Sequence, residues 1–293
     1  MTALVIVGMH RSGTSALAKS LANLGAWVGS KENITPRGEH ALMQQCNQAL
    51  MNGVGGHWSA PIGFETSEWL ASRCAQGLRS LGAEAVADFV GHDVFAWKDP
   101  RNCFTRDFWM SLLSVEMVNV AIYRHPLEVA ASLAARNQFS LVHSLVLWET
   151  YNRGWLQHCT GSRTVVLPYS ELSGHPARAL SRVHEQLTKW DVPLDGDPAD
   201  AAPTVDPQRR HHVIDVQNVD GLTDSQCELW QCLQTLDFCA ESFERPRLAA
   251  VSPDSYELLQ ERARRIQAER EAAALRQQLR SRRVLLRRLM RRD

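Results

Sequence analysis

"IVGMHRSGTSALAKSL", residues 6 to 21, sets the fold class. The apolar run "ALVIVG" that enters it begins at residue 3 and has the character of a parallel strand buried on both faces. It passes through a glycine-bearing turn into "SALAKSLANLG", where Ala16, Leu17, Leu21 and Leu24 recur at helical spacing and Gly25 follows as the C-terminal stop. Gly8 and Gly13 stand five apart, as in the phosphate loop G-x-x-x-x-G-K-[ST], but position 14 is threonine instead of lysine, and Arg11 lies inside the loop. A strand feeding such a turn aims backbone N–H groups and the positive end of a helix at one point, an anion site. Without the lysine, the loop suits a phosphate better than a magnesium-bound triphosphate.

Outward from this stretch, further strands are expected at "DVFAWK" (93–98), "VNVAIYR" (118–124) and "RTVVLPY" (163–169). Helices are expected at 105–114, 126–136, 140–158, 176–190 and 224–242. The alternation argues for an α/β fold, a P-loop-like parallel sheet flanked by helices on both faces. The Pro-, Asp- and Ala-rich stretch 191–210 reads as a surface excursion. After "ERPRL" the composition turns to Arg, Glu, Ala and Leu, so the expected division is an α/β domain over 1–248 and a basic helical tail over 249–293. Apolar residues at 272, 275, 279, 286 and 289 approach a heptad, interrupted by Arg282. Three readings of the tail stand: a coiled coil with a partner or a second copy, an amphipathic helix on an anionic membrane surface, or a solvated charged helix.

The 293 residues carry 44% hydrophobic and 22% charged side chains with zero formal net charge. That is the profile of an ordinary globular protein, and the overall charge selects neither nucleic acid nor a membrane as partner. Seven cysteines, an odd number with no C-x-x-C pair, read as reduced thiols; Cys227, Cys232 and Cys239 fit buried positions on one helix better than metal ligands. With no leader before the first strand and no apolar run of ~20 residues, a cytoplasmic protein is expected, peripheral at the inner membrane surface if the tail is interfacial.

Two other segments can meet the same anion. "IYRHPLEVAASL" (122–133) puts Arg124 at a strand end and Ser132 eight residues on, with Pro126 placed to start the helix between them. A guanidinium fork and a hydroxyl there can converge on a second phosphate. "FAWKDPR" (95–101) places Lys98 at another strand end, the edge where α/β sheets bind ligands.

Together these motifs resemble the sulfotransferases that use 3′-phosphoadenosine 5′-phosphosulfate (PAPS). The loop "GMHRSGTS" is similar to the arginine-bearing version of carbohydrate-type and bacterial members, and "KDPR" to the K-D-P element of the tyrosylprotein and related bacterial branches. "PYSELSGHP" (168–176) resembles the Y-E-D-L segment that follows, and residues 35–58 resemble the G-x-x-E…L-N-x-x-L segment, two residues short before the glutamate. The usual C-terminal R-K-G element is absent, with "QRRHH" (208–212) the one candidate replacement. The resemblance spans about residues 3 to 215. It implies that Arg11, Ser12, Gly13, Thr14 and Ser15 hold the 5′-phosphosulfate, that Arg124 and Ser132 hold the 3′-phosphate, and that no metal is needed.

It further implies transfer of a sulfuryl group to a hydroxyl of a glycan or glycolipid (lipid-linked saccharide), or less readily a peptide. Like phosphoryl transfer, this chemistry asks mainly for in-line positioning and donors around the moving group. Arg11 and Lys98 are the expected stabilisers of charge. Glu39, matching the family glutamate, is the first choice of base, with His10, His40 and His57 as competitors. Two rival readings are a P-loop NTPase or small-molecule kinase, disfavoured by the missing lysine, and a non-catalytic scaffold that retains the fold.

Overall fold

The computed structural model describes residues 1–205 and 213–289, with side chains as far as Ser281. Four parallel strands form the sheet: β1 (Thr2–Val7), β2 (Val94–Lys98), β3 (Glu116–Tyr123) and β4 (Thr164–Pro168). The order is β2-β1-β3-β4, completed by a two-residue antiparallel edge, β5 (Cys239–Ala240). In β1 the period-two alternation sorts the side chains into two cores. Ala3, Val5 and Val7 face one layer, and Leu4 and Ile6 the other.

The first layer holds α2 (Ala41–Gly53), α5 (Asn102–Met110), α6 (Pro126–Asn137), α7 (Leu141–His158) and α11 (Asp224–Thr235). The second holds α1 (Thr14–Asn23), α8 (Tyr169–Gly174), α9 (Pro176–Lys189) and α10 (Pro198–Ala201). Two short helices, α3 (Arg73–Gly77) and α4 (Arg79–Ala87), precede β2, and α12 (Pro253–Leu289) closes the chain. The α/β sheet covered on both faces, with its long C-terminal helix, is the architecture expected from the sequence. After β1 the chain adds β2 on one side and then crosses to β3 on the other. The C-terminal ends of β1, β2 and β3 therefore open a crevice at a topological switch point.

Two expectations are corrected. The helix expected over 224–242 stops at Thr235, because the edge of β4 takes up the following residues: Phe238 accepts from Val166 N–H at 2.7 Å and Cys239 pairs with Val165. Cys239 is thus a strand residue, and Cys227 and Cys232 are half-buried on α11. The stretch after 191 is not purely a surface excursion, since Ala201, Ala202 and Val205 are buried in the second core. Packing also crosses the compositional break at 249: Leu259 joins the first core and Ala263 is buried. "QRRHH" (208–212) lies outside the described residues. Among the described residues no helix is long and apolar enough to cross a membrane.

Candidate anion and acceptor site

The loop from Gly8 to Gly13 is pressed between two neighbours. A Cβ on Gly8 would stand 2.3 Å from the Ile122 carbonyl oxygen, and one on Gly13 would stand 2.2 Å from Cδ2 of Tyr169. Gly13 also has φ +95°, so both glycines of the motif are required by the backbone and its packing. Arg11 takes the left-handed region as well, at φ 70°, which is uncommon outside glycine. Gly13 caps α1 without a side-chain acceptor, and the first turn holds no acid. The helix end therefore keeps its positive character and presents unclaimed N–H groups. Ser12 Oγ is buried beside them without a hydrogen-bond partner.

Three sequence-predicted residues converge here from three elements. Arg11 Nε donates to Ser132 Oγ at 2.7 Å, linking the loop to α6. Arg124, one residue beyond β3, donates from Nη1 to the Arg11 carbonyl at 3.0 Å and from Nε to Glu128 at 2.7 Å. Its guanidinium lies 4.7 Å over the ring of Tyr169. Burial, then the cations of Arg136 and Arg124, lower the pKa of Arg11, yet a guanidinium keeps its charge in proteins. The two phosphate motifs read separately in the sequence are one connected cluster in space.

Lys98, at the end of β2, forms a buried ion pair with Glu39 at 2.5 Å and donates to the Arg37 carbonyl at 3.0 Å. Glu39 Oε2 also accepts from Thr35 Oγ1 at 3.2 Å and Gln44 Nε2 at 3.3 Å. Ser15 Oγ reaches the same Arg37 carbonyl at 3.4 Å, so this turn joins α1 to β2. Asp99 is engaged by Arg101, at 2.9 Å from Nη1 to each carboxylate oxygen, and by Asn47 at 3.1 Å.

The competing histidines separate cleanly. His40 is buried, caps α2 through Nδ1 and contacts Asp88 at 3.2 Å, a structural arrangement. Burial is the largest influence on its pKa and lowers it, with Asp88 opposing. His57 pairs with Ser59 Oγ at 2.9 Å and is pushed down to about 4 by burial and by Arg270, Arg101 and Arg262. It does not line the cleft. His10 does, with its ring 4.9 Å from that of Trp58 and 5.4 Å from that of Tyr151. Burial, then Arg101, Lys98, Arg136 and Arg37, hold His10 well below the usual histidine value, and its Nε2 is buried without a partner.

Two spaces flank the start of α1. A cleft of about 780 Å³ is lined by Arg11, Glu39, Lys98, Trp58 and Arg136 among others. A smaller pocket of about 220 Å³ is lined by Arg11, Gly13, Arg124, Tyr169 and Thr204. Thr14, Ser15 and Lys19 line both. Among the described residues that line the cleft, Glu39 is the single carboxylate against six Lys and Arg side chains. Trp58, Tyr169 and Arg136 were not singled out from sequence. Arg136 had a usable signal, standing one helical turn beyond Ser132.

No protein-family model and no curated protein matches this chain. Among solved structures it is similar to the sulfotransferase domain from the Synechococcus PCC 7002 olefin synthase, at 18% identity and TM-score 0.43, covering 89% of this chain and 94% of that one. It is also similar to the sulfotransferase domain from the curacin biosynthetic pathway, at 14% identity and TM-score 0.46, covering 79% and 96% respectively.

Proposed function

We propose that the protein is a sulfotransferase that moves a sulfuryl group from PAPS to a hydroxyl, with a glycan or lipid-linked saccharide as acceptor. One observation carries the reading: Arg11, Arg124 and Ser132 meet beside an uncapped helix start, with a pocket on each side of it. A donor bearing two separate anionic groups fits that arrangement. Arg124 in the smaller pocket, with Ser132 behind Arg11, takes the 3′-phosphate. Arg11 and the loop from Ser12 to Ser15 take the 5′-phosphosulfate, where the buried, unpartnered Ser12 hydroxyl supplies a further donor.

The acceptor occupies the larger cleft, whose Trp58 ring offers an apolar face of the kind a saccharide stacks on. Glu39 takes the hydroxyl proton while Lys98 and Thr35 hold the carboxylate in place. The acceptor oxygen forms its bond to sulfur as the bond from sulfur to the donor phosphate oxygen breaks. Arg11 and Lys98 stabilise the charge that develops on the leaving phosphate. The products are 3′,5′-ADP, a sulfate ester and one proton. All seven thiols are free, which fits a reducing cytoplasm.

Titration calorimetry with 3′,5′-ADP, 5′-AMP and Mg-ATP tests the reading directly. The first should bind far more tightly than the second, and transfer from PAPS should survive EDTA. Equal affinity for 3′,5′-ADP and 5′-AMP would remove the 3′-phosphate assignment. Strict dependence on Mg-ATP would make the protein a kinase or NTPase instead.

A further inference from the structure

Helix α12 changes character along its length of 37 residues, about 55 Å at 1.5 Å per residue. Its first turns belong to the body: Ser255, Leu259 and Ala263 are buried, and Arg262 donates to Ser59 Oγ at 3.1 Å while lying over Phe139. From Glu271 to Ser281 every residue is exposed, including Leu275 at 62% and Leu279 at 51%. An isolated helix of that length is marginal in water, and its stability ordinarily comes from burying an apolar stripe.

The stripe has a definite register. Ala268, Ala272, Leu275, Leu279, Arg282, Leu286 and Leu289 alternate in steps of four and three, the a/d seam of a heptad repeat. On the helical wheel this seam lies away from the docked side that carries Leu259 and Ala263. The flanking charges decide the partner. With Leu275 at d and Leu279 at a, Arg264 and Glu271 fall at g, and Glu269 and Arg276 fall at e. In a parallel pair of identical helices, each g faces the e′ five residues on. Arg264 then meets Glu269′ and Glu271 meets Arg276′, two attractive pairs on each side of the seam. Glu269 and Glu271 now make only exposed contacts within their own helix, with Arg265 at 3.1 Å and Gln267 at 2.7 Å. These contacts are weak enough to exchange for a partner.

We propose that α12 from Arg264 onward pairs as a parallel two-stranded coiled coil with a second copy of this chain, so that the catalytic bodies are paired by their C-terminal helices. In the sequence, Arg282 falls at a d position and interrupts the apolar run of the seam, which lowers the stability of the pair. The dimer should therefore be reversible and depend on protein concentration.

Sedimentation velocity of the full chain, from ~1 to ~100 µM, reads the equilibrium. The wild type should shift from monomer to dimer over this range, and the variant Leu275→Glu with Leu279→Glu should stay monomeric with unchanged 3′,5′-ADP affinity. Glu271→Arg alone, or Arg276→Glu alone, should weaken association several-fold. The double reversal should restore it, an outcome specific to the parallel g–e′ pairing. A wild type that stays monomeric at ~100 µM overturns the proposal, and co-sedimentation of that monomer with phosphatidylglycerol vesicles would assign the stripe to a membrane. A dimer that survives the leucine substitutions also overturns it, as does a double reversal no better than the single ones.

Discussion

The two walls of the site are built by different means. The wall at the start of α1 comes from regular elements meeting at a sheet edge: the loop after β1, Arg124 just past β3, and Ser132 two turns into α6. Its glycines are demanded by contacts with Ile122 and Tyr169. The opposite wall is made of loops held by single distant side chains. Asp88 anchors the 27–40 segment that carries Glu39, accepting from Ser30 and Asn33 and contacting His40. Trp58 sits in a turn held by Tyr151, His143 and Arg262, the last 203 positions away from Ser59 in the chain. On the proposed reading, the first wall would take a constant donor and the second a variable acceptor, because a loop can change without disturbing the sheet.

The largest expected effects test where the two walls meet. Glu39→Gln should lower single-turnover transfer by roughly 10²–10⁴, the usual contribution of a positioned base, while leaving 3′,5′-ADP affinity nearly unchanged. Arg11→Ala should lower turnover by roughly 10²–10³, the cost of removing a donor from developing charge. His57→Ala should do much less than either, since His57 does not line the cleft. If Glu39→Gln retains transfer and His10→Ala abolishes it, the proton belongs to the imidazole between Trp58 and Tyr151.

Arg124 gives the next effect, confined to the first wall. Because Arg124 forms a buried ion pair with Glu128, removing the charge outright would break that pair as well as any ligand contact. Arg124→Lys keeps the charge and removes the fork. It should weaken 3′,5′-ADP by about 1.5–3 kcal/mol and leave 5′-AMP unchanged. Parallel losses for both nucleotides in calorimetry would mean that Arg124 serves the loop and not the 3′-phosphate.

The first wall was legible in the sequence because most of its parts lie next to a strand end that periodicity locates. Gly8, Arg11, Gly13, Lys98 and Arg124 all stand within a few residues of β1, β2 or β3. What no pattern gave was their junction, the contact of Arg11 with Ser132 across 121 positions. The second wall was barely legible. Glu39 entered through a family resemblance, and Trp58 and Asp88 carry no local signature, since their roles depend on contacts that only the folded chain creates. The edge strand at Cys239 was missed for a related reason. Helical spacing continued past Thr235, but an open edge on β4 outweighed it.

Asp88 tests whether the second wall depends on its anchor. Burial works against its charge, yet hydrogen bonds from Ser30, Asn33 and His40 hold its pKa at about 2. Asp88→Asn keeps the shape and part of the bonding, whereas Asp88→Ala removes all of it. Asp88→Ala should raise the acceptor KM and lower turnover several-fold with the donor affinity intact, and Asp88→Asn should recover part of the loss. An equal loss of 3′,5′-ADP binding in both would show that the two walls are not independent.

The smallest effect concerns acid. His57 has a folded pKa of about 4, against an ordinary value near 6.5, so the unfolded chain binds the extra proton first. Between those values stability must rise with pH, and it is lost as pH falls below about 6.5, with no further loss below about 4. At pH 5 the full shift would amount to ~2 kcal/mol by linkage, and solvent screening of a half-buried ring reduces this to about 1 kcal/mol. For a chain of this size that is roughly 2 °C in Tm. His10, His40 and His143 are also held low by burial, so the wild-type slope alone does not isolate His57. The comparison does: His57→Gln should lose about 2 °C less than the wild type between pH 7 and pH 5 in paired thermal melts. Identical losses would mean that His57 titrates normally, and that the turn carrying Trp58 is more open to water than its contacts with Tyr151, His143 and Arg262 require.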